Sequence, residues 1–267
     1  MYCSTRKNKH NAAGPAMVRV LLIHADWLRD NGYKLQATSA RAQAASLTRK
    51  YYCSMRYYRR KNYEYKRSKK IIISLSQPDK MPGYAYGLPA WECKTGGKLA
   101  KVPGSVCFGC YAMKGNYTRF PAIRESQYKR LASLKDPLWV EAMAVVINSQ
   151  AVSKHKVFRW HDAGDVQDLD HLNKIFEVCR LTPGMQHWMP TREAWIRDHL
   201  KRCPKNLIIR LSMTMIDQAA AGSWPHTSTV TTKPGARTCP APDQGGQCGD
   251  CRQCWSHDVT NISYGKH

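Results

Sequence analysis

The sequence has no long hydrophobic run and few acidic residues. Its longest apolar stretches span about five residues, far fewer than the ~20 that a membrane-spanning helix needs, and no signal-peptide pattern precedes a small-residue cleavage site. We therefore expect a soluble protein with no membrane partner. Asp and Glu number 19 against 42 Lys and Arg, so the formal net charge is +23.

The positive charge is concentrated in the first 70 residues. This segment holds 17 Lys and Arg against three acids, whereas residues 71–267 hold 25 against 16. Tyrosines alternate with cations in its last stretch, YYCSMRYYRRKNYEYKRSKK. Aromatic rings stack on unpaired bases while cations neutralise phosphates, so the pattern indicates nucleic acid as a partner of residues 1–70. The alternative is a solvated basic arm, and we expect this segment to be a disordered extension.

The cysteine content does not indicate a secreted disulfide framework. The count of eleven is odd, the chain is long for such a scaffold, and seven of the cysteines lie in two closely spaced groups. This pattern favours metal binding in a reducing compartment, so we expect a cytoplasmic protein. Cys3, Cys53, Cys179 and Cys203 stand apart from both groups and are expected to be ordinary thiols.

The first cysteine group consists of Cys93, Cys107 and Cys110, at the spacing C-x13-C-x2-C. Two cysteines separated by two residues can direct both sulfurs to one ion or cluster, and Gly104 and Gly109 suit a tight loop. A fourth cysteine is missing nearby, which fits a [4Fe–4S] cluster with one open iron or a site completed from elsewhere. A chance trio of buried cysteines is the alternative.

The second cysteine group consists of Cys239, Cys248, Cys251 and Cys254, at the spacing C-x8-C-x2-C-x2-C. Four thiolates suit either a tetrahedral zinc ion or a [4Fe–4S] cluster. The run of closely spaced cysteines, accompanied by Cys239-Pro240, is similar to the bacterial ferredoxin pattern. We therefore favour iron–sulfur over zinc at this group.

The chain between the two groups predicts an α/β fold. Residues 157–161, 185–189 and 206–212 are strand-like and separated by helical patterns, one of them capped by Asp168, and residues 70–76 form a further strand-like run. Strands that are apolar throughout and alternate with helices indicate a parallel sheet covered on both faces. We expect a partial (β/α) barrel over residues 71–238, with the first cysteine group in a Cys-rich loop, followed by a C-terminal Cys-rich metal-binding segment at 239–267.

Polar residues follow the predicted strands at their carboxyl ends. In parallel α/β folds this edge of the sheet carries the active site. The alternative for any single one of these polar residues is a structural hydrogen bond and no role in an active site. The candidate catalytic and substrate-binding residues are Arg159, His161, Asp165, Arg192 and Arg210.

Several segments together are similar to one family. LPAWEC, CFGCYAMKGNY, FRWHDAGDV, MPTRE, IIRLSM and CPAPDQGGQCGDCRQCW look like the gene product 88 family of phage and prophage proteins, over about residues 71–256. The chain resembles more remotely the radical S-adenosylmethionine enzymes, which have a partial barrel and a Cys-rich loop after the first strand. This resemblance implies an open-site [4Fe–4S] cluster on the first cysteine group, an auxiliary cluster on the second, and S-adenosylmethionine as a ligand.

Two functions of different classes follow. In the first, the chain is a phage-type iron–sulfur enzyme resembling the radical S-adenosylmethionine enzymes, with an unidentified substrate. In the second, it is a metal-stabilised nucleic-acid-binding protein in which both cysteine groups are structural and hold zinc or iron–sulfur clusters. The identity of the bound metal separates the two, because zinc at both groups excludes radical chemistry.

Overall fold

The computed structural model describes residues 14–266, except for the side chains of residues 14–16, 19 and 49–61. The chain divides into two compact units, Met1–Glu64 and Tyr65–His267. Each is described below by itself.

Two helices occupy the described part of the first unit. Helix α1 spans Gly14–Asp30, and helix α2 begins at Lys34 and runs to Ile72, into the second unit. Small buried residues let the two helices approach, and Arg41 of α2 bonds Asp26 of α1 at 2.7 Å. The buried residues are Ala25, Ala37, Ala40 and Ala44.

The described residues of the predicted disordered extension are thus helical, because strong helix formers such as Ala, Leu, Gln, Lys and Arg fill the segment. The strand predicted at residues 70–76 is wrong. Ile71 and Ile72 close α2, and Ile73 adopts a φ of +72°, which ends the helix.

The second unit contains a parallel sheet. Within the described residues it has six strands in the order β1-β2-β3-β4-β5-β6, each parallel to its neighbour. The α/β class is confirmed, but the sheet is open, with β1 and β6 at its edges, and closure into a barrel is not observed. The strands are β1 Tyr84–Tyr86, β2 Val157–Trp160, β3 Gln186–Thr191, β4 Leu207–Ser212, β5 Thr227–Thr231 and β6 Asn261–Gly265.

Helices and 3₁₀ turns connect the strands. The predicted cap of the helix after β2 is confirmed, because the Asp168 carboxylate accepts a hydrogen bond from His171 N at 2.8 Å. The helices are α3 Lys94–Leu99, α4 Asn116–Arg119, α5 Pro121–Ser133, α6 Trp139–Ile147, α7 Gln150–Ser153 and α8 Leu169–Leu181. The 3₁₀ segments are Ala90–Glu92, Tyr111–Met113, Ala194–Arg202, Ala241–Gln244 and Gln253–Trp255.

The two faces of the sheet are covered differently. Successive side chains of a strand point to opposite faces, so Met189 and Trp188 of β3 face apart. Met189 belongs to the main core, which includes residues of α6 and α8. Trp188 instead contacts Trp255 of the C-terminal cysteine segment, with ring centroids 5.3 Å apart. The sheet therefore has helices on one face and the second cysteine group on the other, so both faces are covered.

Candidate functional site

Two thiols of the first cysteine group, those of Cys93 and Cys107, lie beside Gly96 at the start of α3. A Cβ placed on Gly96 would lie 3.7 Å from Cys93 Sγ and 3.6 Å from Cys107 Sγ, so the missing side chain leaves space in front of both sulfurs. Burial raises the pKa of Cys93, and the nearby thiols of Cys110 and Cys107 raise it further. Electrostatic effects of this kind act over short distances, so the Cys107 and Cys110 thiols lie close to the Cys93 thiol.

Main-chain hydrogen bonds hold this loop at the carboxyl edge of the sheet. Val106 N donates to Thr214 O at 2.8 Å, and Ile216 N donates to Gly104 O at 3.0 Å, which ties the loop to the chain that follows β4. Gly104 has a φ of +80°, a conformation that favours glycine. The loop thus lies at the edge where ligands bind in parallel α/β proteins.

Arg192 connects the end of β3 to the first cysteine group. Its Nε donates to Cys107 Sγ at 3.0 Å, and its Nη1 donates to the carbonyl oxygens of Ser212 and Met213, both at 2.7 Å. The planar guanidinium group donates to the sulfur through Nε and to the two carbonyl oxygens through Nη1 at the same time, and the single ammonium group of a lysine cannot reach all three acceptors. Arg192 therefore lies where the sequence predicted a site residue, in direct contact with a thiol.

Asp165 orients this arginine. Its buried carboxylate accepts hydrogen bonds from Arg192 N at 2.8 Å, Thr191 Oγ1 at 2.7 Å and Val166 N at 2.7 Å. Burial raises the pKa of Asp165 to about 6, against the lowering effect of these donors. The carboxyl group fixes the turn that aims the Arg192 side chain at the cysteine loop.

Glu193 anchors the same loop from the other side. Its buried carboxylate accepts from Thr95 N and from Trp195 Nε1, both at 3.0 Å, so it fixes the first turn of α3 directly after Cys93. Glu193 was not among the site residues predicted from the sequence. The sequence also did not predict a role for Gly96, because the space left by a missing side chain depends on which residues surround the glycine in the fold.

His161 is buried at the end of β2 in a strained conformation. Its φ is +55°, its main-chain N donates to Tyr86 O at 2.9 Å, and its ring centroid lies 5.5 Å from that of His171. Burial lowers the pKa of His161 well below the usual value, so its imidazole is neutral. Neither ring nitrogen has a partner among the described residues, and the structure does not bring this histidine to the thiols.

The thiols of the second cysteine group also lie near one another. Burial raises the pKa of Cys248, and the nearby thiols of Cys239 and Cys251 raise it further. Cys254 Sγ lies 3.3 Å from the hydroxyl oxygen of Tyr264 on β6, and burial raises the pKa of Cys254 to about 11. Tyr264 was missed from the sequence because β6 itself was not predicted.

Two of the predicted site arginines belong to the second group. Arg210 is fully buried, and its guanidinium donates to the carbonyl oxygens of Gln253, Cys254 and Ser256 at 2.9 to 3.2 Å. Arg159 lies over the Trp188 ring, 4.6 Å from its centroid. Arg210 therefore positions the cysteine segment on the sheet, and the structure does not bring either arginine together with Arg192.

Neither cysteine group has its sulfur atoms in a metal-coordinating arrangement in this structure. Among the described residues, no three His, Cys, Asp or Glu side chains are already arranged to coordinate a metal. In the same part of the chain, no helix has the length and apolar content of a membrane span.

Comparison with known proteins identifies the family. A family model described as gene product 88 matches residues 46–257. The chain belongs to the gene product 88 family. The matched region of this family member includes both cysteine groups and the whole of the Arg192 site, and it begins inside α2, upstream of the predicted start at residue 71. No curated protein and no solved structure matches the chain.

Proposed function

We propose that this gene product 88 protein is an iron–sulfur protein whose first cysteine group carries a cluster with an open coordination position. One observation carries the proposal: Cys93 and Cys107 face the space left by Gly96, while Arg192 donates to the Cys107 sulfur. A structural core cysteine has no need of a half-buried arginine on its sulfur. A thiolate that binds a metal commonly accepts such an N–H.

The donor set fits a [4Fe–4S] cluster. Three soft thiols without a fourth suit three irons and leave one open, whereas a closed zinc site needs four ligands. Burial and the carboxylates of Asp165 and Glu193 raise the pKa of Cys93, so its thiolate forms only with a cation at hand. A cluster held there would supply one-electron chemistry and a binding position for a small ligand.

The protein's own residues would prepare this position. Burial raises the pKa of Cys110, and the N–H groups of Ala112 and Met113 and the charge of Arg192 oppose this rise without cancelling it. Asp165 holds Arg192 in place, and Glu193 holds the turn after Cys93. We propose S-adenosylmethionine as the small ligand, on the basis of the remoter resemblance to the radical S-adenosylmethionine enzymes. Catalytic roles for Arg159, His161 and Arg210 stay predictions.

We assign the second cysteine group a structural or auxiliary role. Its four thiols would complete a tetrahedral site without a free position, and the donor set suits either an iron–sulfur cluster or zinc. Arg210 and Trp255 attach it to the face of the sheet, with Trp255 Nε1 donating to Phe158 O at 3.0 Å.

The test is metal analysis followed by spectroscopy. Protein purified without oxygen should contain iron and acid-labile sulfide, and S-adenosylmethionine should change the electron paramagnetic resonance spectrum of the dithionite-reduced protein. Substitution of Cys107 and Cys110 by Ala should abolish that change, whereas Cys203→Ser, outside both groups, should keep it. Zinc at both groups with no iron would refute the proposal; iron with no response to S-adenosylmethionine would refute only the ligand.

The alternative function is a metal-stabilised nucleic-acid-binding protein that uses the basic N-terminal segment. The described end of α2 favours it in one respect, because Tyr63, Lys66 and Arg67 are exposed. The side chains of Tyr51, Tyr52 and the other residues through 61 lie outside the described residues. Substituting Lys66 and Arg67 by Gln should weaken oligonucleotide binding under this alternative and leave iron content unchanged under either function.

A further inference from the structure

A second basic surface surrounds the first cysteine group, well away in sequence from the N-terminal segment. Residues 94–124, which run from α3 through the cysteine loop into α5, contain six Lys or Arg and no Asp or Glu. All six side chains are exposed. They are Lys94, Lys98, Lys101, Lys114, Arg119 and Arg124.

The charges of this surface are largely uncompensated. Among the described residues, none of the six forms an ion pair with a carboxylate, whereas nearby Lys129 is paired with Glu125 at 2.6 Å. Arg124 stacks its guanidinium on the Trp91 ring, 4.6 Å from the centroid, which leaves its N–H edge free for an acceptor. A cluster of unpaired cations favours a polyanionic ligand.

Exposed aromatic rings lie among these cations. Phe108 is 56% exposed, Tyr111 60% and Phe120 48%. Tyr111 is held rigidly although its ring is open to solvent, because its hydroxyl donates to Asp162 O and its ring makes an edge contact with Tyr117, with centroids 6.2 Å apart. A fixed, exposed ring such as that of Tyr111 is a stacking platform for a base, and the exposed rings of Phe108 and Phe120 add apolar surface to the same segment.

We propose that residues 94–124 form a binding surface for single-stranded nucleic acid, with the lysines and arginines on the phosphates and the rings of Phe108, Tyr111 and Phe120 stacked on unpaired bases. Cations interleaved with exposed aromatics are the general chemistry of single-strand binding. A duplex hides the faces of its bases and leaves the rings without partners. This surface lies beyond the proposed iron–sulfur function and would bring the strand to the cysteine loop.

The test uses full-length protein purified without oxygen and a fluorescein-labelled oligothymidylate of about 20 nucleotides, long enough for one such surface. Anisotropy titrations over a salt series measure affinity and salt slope. The charge variant replaces Lys94, Lys98 and Lys101 by Gln. Its matched control replaces three exposed lysines near the opposite, amino-terminal edge of the sheet, Lys154, Lys201 and Lys205, by Gln.

The charge variant should lower the slope of log affinity against log salt by about two, since each phosphate contact on a single strand contributes ~0.7. The control variant should leave the slope unchanged. Phe108→Ala and Phe120→Ala should each weaken binding roughly five- to a hundredfold at constant slope, while Leu181→Ala, an exposed control on α8, should not. Because all variants keep residues 1–70, any contribution of the N-terminal segment cancels.

Three outcomes would overturn the proposal. Equal effects of the two lysine variants would mean that net charge alone attracts the oligonucleotide. Equal binding of a duplex, with no effect of either Phe substitution, would mean a surface for polyanions in general. Absence of oligonucleotide binding would leave an acidic protein as the partner. Iron content is measured in every variant, so that loss of the cluster is told apart from loss of the surface.

Discussion

At the scale of single residues, Arg192 is the side chain that joins the fold to the candidate centre. It connects the end of β3, the carbonyl groups at the end of β4 and the Cys107 sulfur. The sequence placed Arg192 at the right edge of the sheet, because carboxyl ends of parallel strands can be read from periodicity. It could not assign the thiol as partner, since 85 residues separate the two and only tertiary structure closes that distance.

We predict that Arg192→Lys destabilises the protein by roughly 1.5 to 3 kcal/mol, because an ammonium group cannot satisfy the sulfur and both carbonyl oxygens together. Urea unfolding measures the loss. In iron-loaded protein the variant should also lower the reduction potential, since one hydrogen bond to sulfur is gone. The control is Arg197→Lys, an exposed arginine on the adjoining 3₁₀ segment, which should change neither quantity. An unchanged potential with unchanged stability would remove Arg192 from the site.

A second residue-scale prediction concerns His187, which is buried beneath Trp160. Burial lowers the pKa of His187 to about 3, and its Nε2 lies 2.8 Å from Thr182 Oγ1. A folded pKa below the usual value means that the neutral form is favoured on folding. The resulting stability is present above about pH 6.5 and is lost as pH falls towards 3, at about 1.4 kcal/mol per pH unit.

The variant His187→Gln keeps a donor for Thr182 and should lose less stability than the parent between pH 7 and pH 5 in urea titrations. Asp165, whose pKa is raised to about 6, contributes a slope of opposite sign, so the difference between variant and parent isolates the histidine. The exposed His257→Gln should follow the parent. A variant that loses as much stability as the parent would mean that His187 is not the titrating group.

At the scale of elements, long periodic segments were predictable, whereas very short strands and polar strands were not. Helix α8 and strand β4 appear where apolar spacing and the Asp168 cap predicted them. Strand β1 has three residues inside a stretch rich in Pro and Gly, and it owes its conformation to pairing with β2. Strands β5 and β6 are rich in Thr, Ser and Asn, so they lack the apolar run that identified the other strands.

Helix α3 offers a prediction at this scale, because it contains two adjacent glycines in different surroundings. A Cβ on Gly96 would meet Cys93 Cβ at 3.1 Å and approach both sulfurs, whereas a Cβ on Gly97 has nothing within 4 Å. Gly96→Ala should therefore lower the iron and sulfide content. Gly97→Ala should keep the metal and stabilise the helix by roughly 0.5 to 1 kcal/mol. If both variants load iron equally, the space beside Gly96 is not the metal position.

At the scale of the whole molecule, the two cysteine groups are attached in different ways. The first lies in a loop at the carboxyl edge of the sheet, held by main-chain bonds to residues after β4. The second covers a face of the sheet, through the Trp188–Trp255 contact and the bonds of Arg210 to three carbonyl oxygens. Removal of the second group's metal should therefore loosen a face of the fold, and removal of the first group's metal only a loop.

We predict that the two groups lose metal independently and with unequal effects on stability. Cys107 and Cys110 to Ala should remove one cluster's iron and leave the thermal midpoint nearly unchanged. Cys251 and Cys254 to Ala should remove the metal of the second group and lower the midpoint by several degrees, because the free energy of metal binding there contributes directly to folding. Iron, zinc and sulfide analysis with thermal unfolding measures both effects, and Cys203→Ser is the control. If either pair of substitutions empties both groups, the seven cysteines build one shared site, and the separation of an edge loop from a face segment is wrong.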